Sequence, residues 1–159
     1  MFKKILLAVA VQRFRDLTPQ ALGARDTALA LAKVYGAKVV ALTVLSRLVQ
    51  IPPEEEKSED KFKRLLQPLW EAGIDTEMVV REGLPQRVVL EVAKEKEVDL
   101  IVIAAHTKKA PLDLSLGGVA SSLLKHTPVR LIMVGPSKEE AVRARDMVIP
   151  DYPEIFPYI

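Results

Sequence analysis

The sequence predicts a three-layer α/β fold in which helices cover both faces of a doubly wound, five-stranded parallel sheet. Two observations lead to this prediction. Short apolar runs rich in β-branched residues recur without strict alternation, which is typical of strands buried on both faces of a parallel sheet. Helical patterns separate these runs as far as about residue 135, and that order requires right-handed crossovers between the strands.

Five segments are predicted as strands. Four of them are almost wholly apolar and cover residues 5–11, 39–45, 100–105 and 129–134. The fifth, over residues 76–81, mixes charged and apolar side chains, so we expect it at an edge of the sheet.

Residues that begin and end helices mark the segments between the strands. Thr18 can cap a first helix that begins with Pro19 and ends at Gly36. A second helix is expected to open at Pro53, with three glutamates near its positive N-terminal end, and to close at Gly73. The third and fourth helices are predicted from Pro85 and over residues 118–126.

The chain of 159 residues has the length of one domain, predicted over residues 1–135. The remaining residues, 136–159, hold four prolines and three of the eight aromatic side chains. A disordered linker normally lacks that aromatic density, so we expect this extension to dock on the domain or on a dimer partner.

Composition excludes several classes of protein. The chain has no cysteine, which excludes a disulfide scaffold, a cysteine nucleophile and thiolate metal sites. Its net charge of +2 is too small to indicate a nucleic-acid partner. The run after Lys3 and Lys4 imitates a signal peptide, but it is short for one and fits a first strand better, so we expect a cytoplasmic protein without a membrane partner. The absence of asparagine as well as cysteine points weakly to a heat-adapted source.

The usual enzymatic signatures are missing from the sequence. It contains no dinucleotide-binding glycine fingerprint, no phosphate-binding loop with lysine and no nucleophile elbow. His106 and His126 lie twenty residues apart without metal-ligand spacing, and His126 fits a cation at the end of the fourth helix. The sequence therefore predicts no catalytic residue and no metal site.

Three segments give the chain a resemblance to a known family: the opening residues 3–6, residues 98–102 at the fourth strand, and the Gly-Gly-Val-Ala of residues 117–120. Over residues 1–135 the sequence closely resembles the universal stress protein family. The resemblance implies the strand order 3-2-1-4-5 and a homodimer formed by antiparallel pairing of strand 129–134. Some members bind ATP through Gly-x2-Gly-x9-Gly-Ser/Thr at the fourth strand and fourth helix, with an aspartate at the end of the first strand.

This chain departs from that ATP motif at most positions. By the resemblance, Ala104 and Thr107 stand where the first two glycines would be, Gly118 replaces the Ser/Thr, and Ala10 replaces the aspartate. Losing a hydrogen-bond acceptor at Ala10 costs about 1–3 kcal/mol if its partner is buried. We therefore expect ATP binding in the family's manner to be weak. The candidate ligand-binding residues that the resemblance assigns are Val9, Ala10, Val44, Ala104, His106, Thr107, Lys108, Gly117, Gly118 and Val119.

A group of cations favours the opposite interpretation. In the 3-2-1-4-5 order, ligands bind beyond the carboxyl ends of strands 1 and 4, where the order reverses. Arg13, Arg15, Arg47, Lys108 and Lys109 all follow strands that end at this edge, and we call these five residues the basic rim. The rim either binds an anion or keeps exposed loops soluble, and His106 is either a loop anchor or a ligand contact.

Three functions remain open from the sequence. The first is a non-enzymatic stress-response or regulatory protein that acts through protein contacts, with a nucleotide-type crevice that lacks most of the ATP motif. The second is a protein that binds ATP or another phosphorylated ligand through the basic rim. The third, a slow nucleotide hydrolase, is disfavoured because no nucleophile, base or metal cluster converges on the crevice.

Overall fold

A computed structural model describes residues 1–104, 129–135 and 139 of the chain. Its strands are β1 (Lys4–Ala8), β2 (Lys38–Leu45), β3 (Thr76–Glu82), β4 (Leu100–Ala104) and β5 (Arg130–Val134). Its helices are α1 (Pro19–Tyr35), α2 (Ser58–Glu71) and α3 (Pro85–Glu95). The predicted fourth helix, 118–126, lies outside the described residues, and so does the extension 136–159 apart from Glu139.

The five strands form one parallel sheet in the order β3-β2-β1-β4-β5. This confirms both the fold class and the strand order. The mixed strand β3 lies at one edge, as its composition predicts, and the apolar strand β5 lies at the other. β1, β2 and β4 contribute residues to two buried core clusters on opposite faces of the sheet, and partly buried side chains of β5 pack against both clusters.

Alternation along β1 distributes its side chains between those faces. Ile5 and Leu7 pack against α1 and α2, whereas Leu6 and Ala8 pack on the α3 face. Because β1 has a hydrogen-bonded neighbour on each side, both faces and both edges of this strand are covered. The carboxyl end of β1 is therefore the centre of the edge at which a ligand crevice is expected.

Helix α1 has the ends that the sequence predicts. The Thr18 hydroxyl accepts a hydrogen bond from the Ala21 backbone N–H at 3.2 Å, and Pro19 is the first helical residue. Gly36 ends the helix in the left-handed region at φ 63°. A Cβ at Gly23 would lie 3.1 Å from a methyl carbon of Val134, so this glycine allows α1 to approach β5 closely.

Helix α2 begins later than predicted. The sequence analysis placed its start at Pro53, but the first helical residue is Ser58. The Glu55 N–H donates to the Pro52 carbonyl at 3.0 Å, and this bond turns the chain before the helix begins. Its side chains Phe62, Leu65, Leu66 and Leu69 are fully buried against the sheet.

Strand β1 ends earlier than predicted. The apolar run continues to Val11, but the strand ends at Ala8, and only the Val9 N–H continues the ladder by donating to the Leu42 carbonyl at 3.0 Å. Residues 9–17, the β1–α1 loop, then leave the sheet. Val9 and Val11 are buried in this loop without being strand residues. Their apolar side chains explain why the sequence predicted a strand as far as Val11.

Candidate functional site

The crevice expected from the topology lies beyond the carboxyl ends of β1 and β4, because the strands that follow them along the chain, β2 and β5, lie on opposite sides of this adjacent pair. Four of the ten candidate ligand-binding residues are described there. The side chains of Val9 and Ala104 are buried in the cluster that faces α1 and α2. Ala10 and Val44 remain half-buried. Of the four, Ala10 and Val44 therefore have side-chain surface left for a ligand.

The other six candidates follow β4 and lie outside the described residues. They are His106, Thr107, Lys108, Gly117, Gly118 and Val119. Their assignment stays a prediction, and the described part of the crevice is the side formed by β1, β2 and the β1–α1 loop.

A side chain ties the β1–α1 loop to the end of β2. The Gln12 amide donates from Nε2 to the Ser46 carbonyl at 3.0 Å, and its Oε1 accepts from the Ser46 backbone N–H at 2.9 Å. This reciprocal pair joins the β1–α1 loop to the residue that follows β2, after both strands have ended. Sequence analysis did not identify Gln12, because no local pattern distinguishes it from a solvent-exposed loop residue.

A buried lysine ties the same loop to α2. Lys61 is 1% exposed, and its Nζ donates to the Val11 carbonyl at 2.8 Å and to the Phe14 carbonyl. Burial lowers the pKa of this ammonium group, and the negative charges of Glu56 and Glu55 oppose that effect. Lys61 therefore lies between a helix and a loop, where its charge is compensated by carbonyl oxygens and nearby carboxylates.

The signal for Lys61 is present in the sequence but weak. The sequence analysis did not identify Lys61 among the candidate residues. Lys61 lies four residues before Leu65, so the two side chains are neighbours on the apolar face of α2, to which Phe62 also belongs. A charged residue at a position that the helical period assigns to the core is the feature that identifies it.

Arg64 makes a third link to the loop. Its guanidinium donates to Asp16 at 2.7 Å and to Glu56 at 2.8 Å. These hydrogen bonds hold the pKa values of both carboxyl groups below their ordinary values. Asp16 also accepts from the Leu17 N–H at 2.7 Å, so the same carboxylate orders the residue before the α1 cap.

Two arginines in the described part of the basic rim form ion pairs with carboxylates, and a third is buried. Arg13 is 8% exposed. Arg15 forms an ion pair with Glu55 at 3.5 Å, and Arg47 forms one with Glu82. The carboxylates come from segments that are distant in sequence, so the uneven charge distribution along the chain is balanced locally in space. Lys108 and Lys109 lie outside the described residues.

The described part of the chain holds neither a metal-binding cluster nor a membrane-spanning helix. No cluster of three or more histidine, aspartate or glutamate side chains within residues 1–104 and 129–135 could hold a metal ion. No helix there has the length and apolar character needed to cross a bilayer. The arrangement that the described residues do form is a loop held by side chains of α2 and of the end of β2.

Comparison with known proteins identifies the family to which the sequence is similar. The model of the universal stress protein family matches residues 1–135. The universal stress protein MJ0531 of Methanocaldococcus jannaschii is 29% identical over 153 residues, covering 87% of this chain and 86% of its own length.

Solved structures share the fold at lower sequence identity. The structure of protein MJ0577 superposes on this chain with a TM-score of 0.67 at 21% identity, covering 87% of this chain and 99% of its own. A universal stress protein of Archaeoglobus fulgidus solved with dAMP has a TM-score of 0.60 at 16% identity, covering 83% and 97%. An Arabidopsis thaliana family member solved with AMP has a TM-score of 0.59 at 17% identity, covering 87% and 94%.

Proposed function

Since the chain belongs to the universal stress protein family, we propose that it is a cytoplasmic, non-enzymatic regulatory protein of the stress response that acts by binding. The observation that carries this proposal is the chemistry of the described crevice edge. Ala10 and Val44 present apolar side chains, and the neighbouring Arg15 and Arg47 are already paired with carboxylates. Such an edge suits recognition of a ligand surface better than transfer of a proton or a group.

The proposed ligand class is an adenine mononucleotide, preferred over ATP. Relatives with the same fold have been solved with AMP and dAMP, which supports a nucleotide in the crevice. A triphosphate needs several cations that are not already neutralised, and the pairing of Arg15 and Arg47 leaves two fewer on the described side. Ala10 provides no acceptor where the ATP-binding pattern has an aspartate, which also disfavours the family's ATP geometry.

Calorimetric titration with adenosine, AMP and ATP tests this proposal. We expect AMP to bind the parent chain more tightly than ATP. The variant Ala10→Asp/Ala104→Gly/Thr107→Gly/Gly118→Ser restores the ATP pattern of the family. Its affinity for ATP should exceed that of the parent by a factor of roughly 100 or more, if each recovered contact contributes about 1 kcal/mol. Equal ATP affinity in the two chains, whether tight or absent, contradicts the proposal that these substitutions weakened an ATP site.

Strand β5 supports a second part of the proposal, a homodimer formed by this edge of the sheet. β5 is an edge strand, and Arg130 is its one charged residue, so it lacks most of the devices that prevent strands from pairing. Antiparallel pairing with a second copy across a two-fold axis would satisfy the outer backbone groups. Met133 is 43% exposed, whereas Ile132 packs against the core.

Light scattering tests the dimer. We expect the parent to scatter as a dimer at micromolar concentration and Met133→Lys to shift toward monomer. Ile132→Lys is the less selective variant, because Ile132 also contributes to the core. A parent that scatters as a monomer rejects the proposed pairing.

The division of the chain into a domain, 1–135, and an extension, 136–159, is also proposed. The aromatic residues Tyr152, Phe156 and Tyr158 support docking of the extension on the domain or on the partner copy. A chain that ends at Ser137 should be less dimeric or less heat-stable than the parent. A shortened chain that is as dimeric as the parent and has the same melting temperature would contradict the role proposed for the extension.

A further inference from the structure

Lys61 connects the helix α2 to the loop that borders the crevice. Its ammonium group bonds two carbonyls, those of Val11 and Phe14, which lie three residues apart in the β1–α1 loop. The loop begins with Val9 and Ala10, two of the candidate ligand-binding residues. We propose that Lys61 is a positioning residue that holds the β1–α1 loop in its crevice-forming conformation and thereby governs ligand affinity without touching the ligand.

The energetics distinguish Lys61 from an ordinary core side chain. Burying an ammonium group is costly unless its charge is compensated by hydrogen bonds or by opposite charge. Here the compensation comes from two loop carbonyls and from the nearby carboxylates Glu55 and Glu56. Because the carbonyls belong to the loop, the compensation of the ammonium group is complete only when the loop has this conformation. The conformation of the loop and the burial of the Lys61 ammonium group are therefore coupled.

Two other links have the same effect on different parts of the loop. Gln12 binds Ser46 at the end of β2, and Asp16 binds Arg64 of α2. These two links involve half-buried or exposed groups, whereas the Lys61 contacts are buried. Hydrogen bonds to charged groups are also stronger when water is excluded. Lys61 is therefore the link whose removal should release the loop most.

The contact also restricts what a ligand can use. Lys61 engages one lone pair of each of the Val11 and Phe14 carbonyls, so a ligand donor such as an exocyclic amine or a ribose hydroxyl could use only the second lone pair of either oxygen. Ala10 has no side-chain acceptor. This part of the inference rests on the proposed function, whereas the positioning of the loop does not.

The first experiment compares Lys61→Met with Lys63→Met. Both variants lose one positive charge from α2, but Lys63 is exposed. We expect amide hydrogen exchange in residues 10–17 to become about tenfold or more faster in Lys61→Met, with residues 39–42 of β2 unchanged, since losing hydrogen bonds to a charged group costs more than about 1.4 kcal/mol. AMP affinity should fall by at least a similar factor, and Lys63→Met should match the parent in both measurements.

These readings separate positioning from general stability. Exchange that is unchanged in the loop, or that rises equally in β2, overturns the positioning role. If no adenine nucleotide binds the parent, the proposed ligand is wrong, whereas the exchange comparison still tests the loop.

A second experiment uses the parent chain alone and so does not depend on the folding of a variant. An amine-acylating reagent, followed by mass spectrometry of peptides, reports how often each lysine is exposed. We expect Lys61 to react at least about tenfold more slowly than Lys63, because opening the loop must precede its reaction. Saturating AMP should slow Lys61 further and leave Lys63 unchanged. Equal labelling of the two lysines overturns the inference.

Discussion

Helices α1 and α2 lie on the same face of the sheet and begin at the same edge, yet their first turns are held in different ways. The start of α1 is local: Thr18 caps the Ala21 N–H three residues away, and Pro19 follows the cap. The start of α2 has no side-chain cap at Lys57 and is held instead by Lys61, 47 residues from Phe14 in sequence.

The two helices also pack differently. The buried side chains of α1 are mainly alanines, which let the helix approach the sheet, whereas α2 buries Phe62 and three leucines. The difference teaches that a helix can be specified either by its own sequence or by what it packs against. Four predictions test this contrast and are given in order of decreasing change in stability.

The largest effect should come from the side chains that α2 buries. Phe62→Ala removes a fully buried ring and should lower the free energy of unfolding by about 3–5 kcal/mol. Ala28→Gly in α1 removes only one methyl group and should cost about 1 kcal/mol. Denaturant unfolding followed by circular dichroism measures both. Similar losses in the two helices would contradict the contrast in packing.

Two buried threonines should respond to the same substitution with opposite signs. Thr18→Val removes the α1 cap and should cost about 0.5–2 kcal/mol. Thr43 of β2 is equally buried, but its hydroxyl has no hydrogen-bond partner among the residues described. Thr43→Val should therefore raise the unfolding free energy by up to about 1 kcal/mol. Thermal unfolding of both variants checks the signs, and a stability loss at Thr43 would reveal a hidden partner for that hydroxyl.

Two glycines of α1 form the next pair. Gly36 ends the helix at φ 63°, so Gly36→Ala should cost about 1 kcal/mol in backbone strain. Gly23 lies inside the helix, where alanine is favoured by a similar amount, but its Cβ would meet Val134 at 3.1 Å. Gly23→Ala should consequently change stability little. A large loss at Gly23 would mean that β5 cannot yield by a few tenths of an ångström, and a clear gain would mean that it yields freely.

The smallest effect should come from Arg64, whose partners are partly exposed. Its hydrogen bonds lower the pKa values of Asp16 and Glu56. A carboxyl group with a lowered pKa binds fewer protons when folded, so its contribution is complete above the unfolded pKa, about 4, and is lost as pH falls through the folded value. Solvent screening keeps the contribution below about 1 kcal/mol.

Stability measured against pH checks this sign. Arg64→Gln should be less stable than the parent at pH 7, and the two should converge as pH falls through the lowered pKa values of Asp16 and Glu56. Lys63→Gln, at an exposed position in the same helix, should follow the parent throughout. A difference between Arg64→Gln and the parent that persists unchanged at low pH would show that these carboxylates are not its cause.

The elements of this fold could be read from the sequence where their signals are local. Thr18, Pro19 and Gly36 mark the ends of α1, and the apolar runs mark three buried strands and the partly buried strand β5. The strand order came from the resemblance, and the structure confirms it. Each of these features depends on residues that are neighbours in sequence or on a pattern of fixed period.

Features that depend on distant partners could be decided only by the tertiary structure. The apolar run led to the prediction that β1 continues to Val11, because a buried loop and a buried strand have the same composition. Lys61, whose contacts hold this loop, lies 50 residues from Val11 in sequence. The basic rim looked unpaired because Glu55 and Glu82 lie 40 and 35 residues beyond the arginines that they neutralise. Periodicity reports which side of an element is buried, whereas the identity of an ion-pair or hydrogen-bond partner depends on where the crossovers bring separate segments together. For this protein, local sequence patterns therefore predicted the strands, the ends of α1 and the edge position of β3, whereas the polar contacts that border the crevice followed from the tertiary structure.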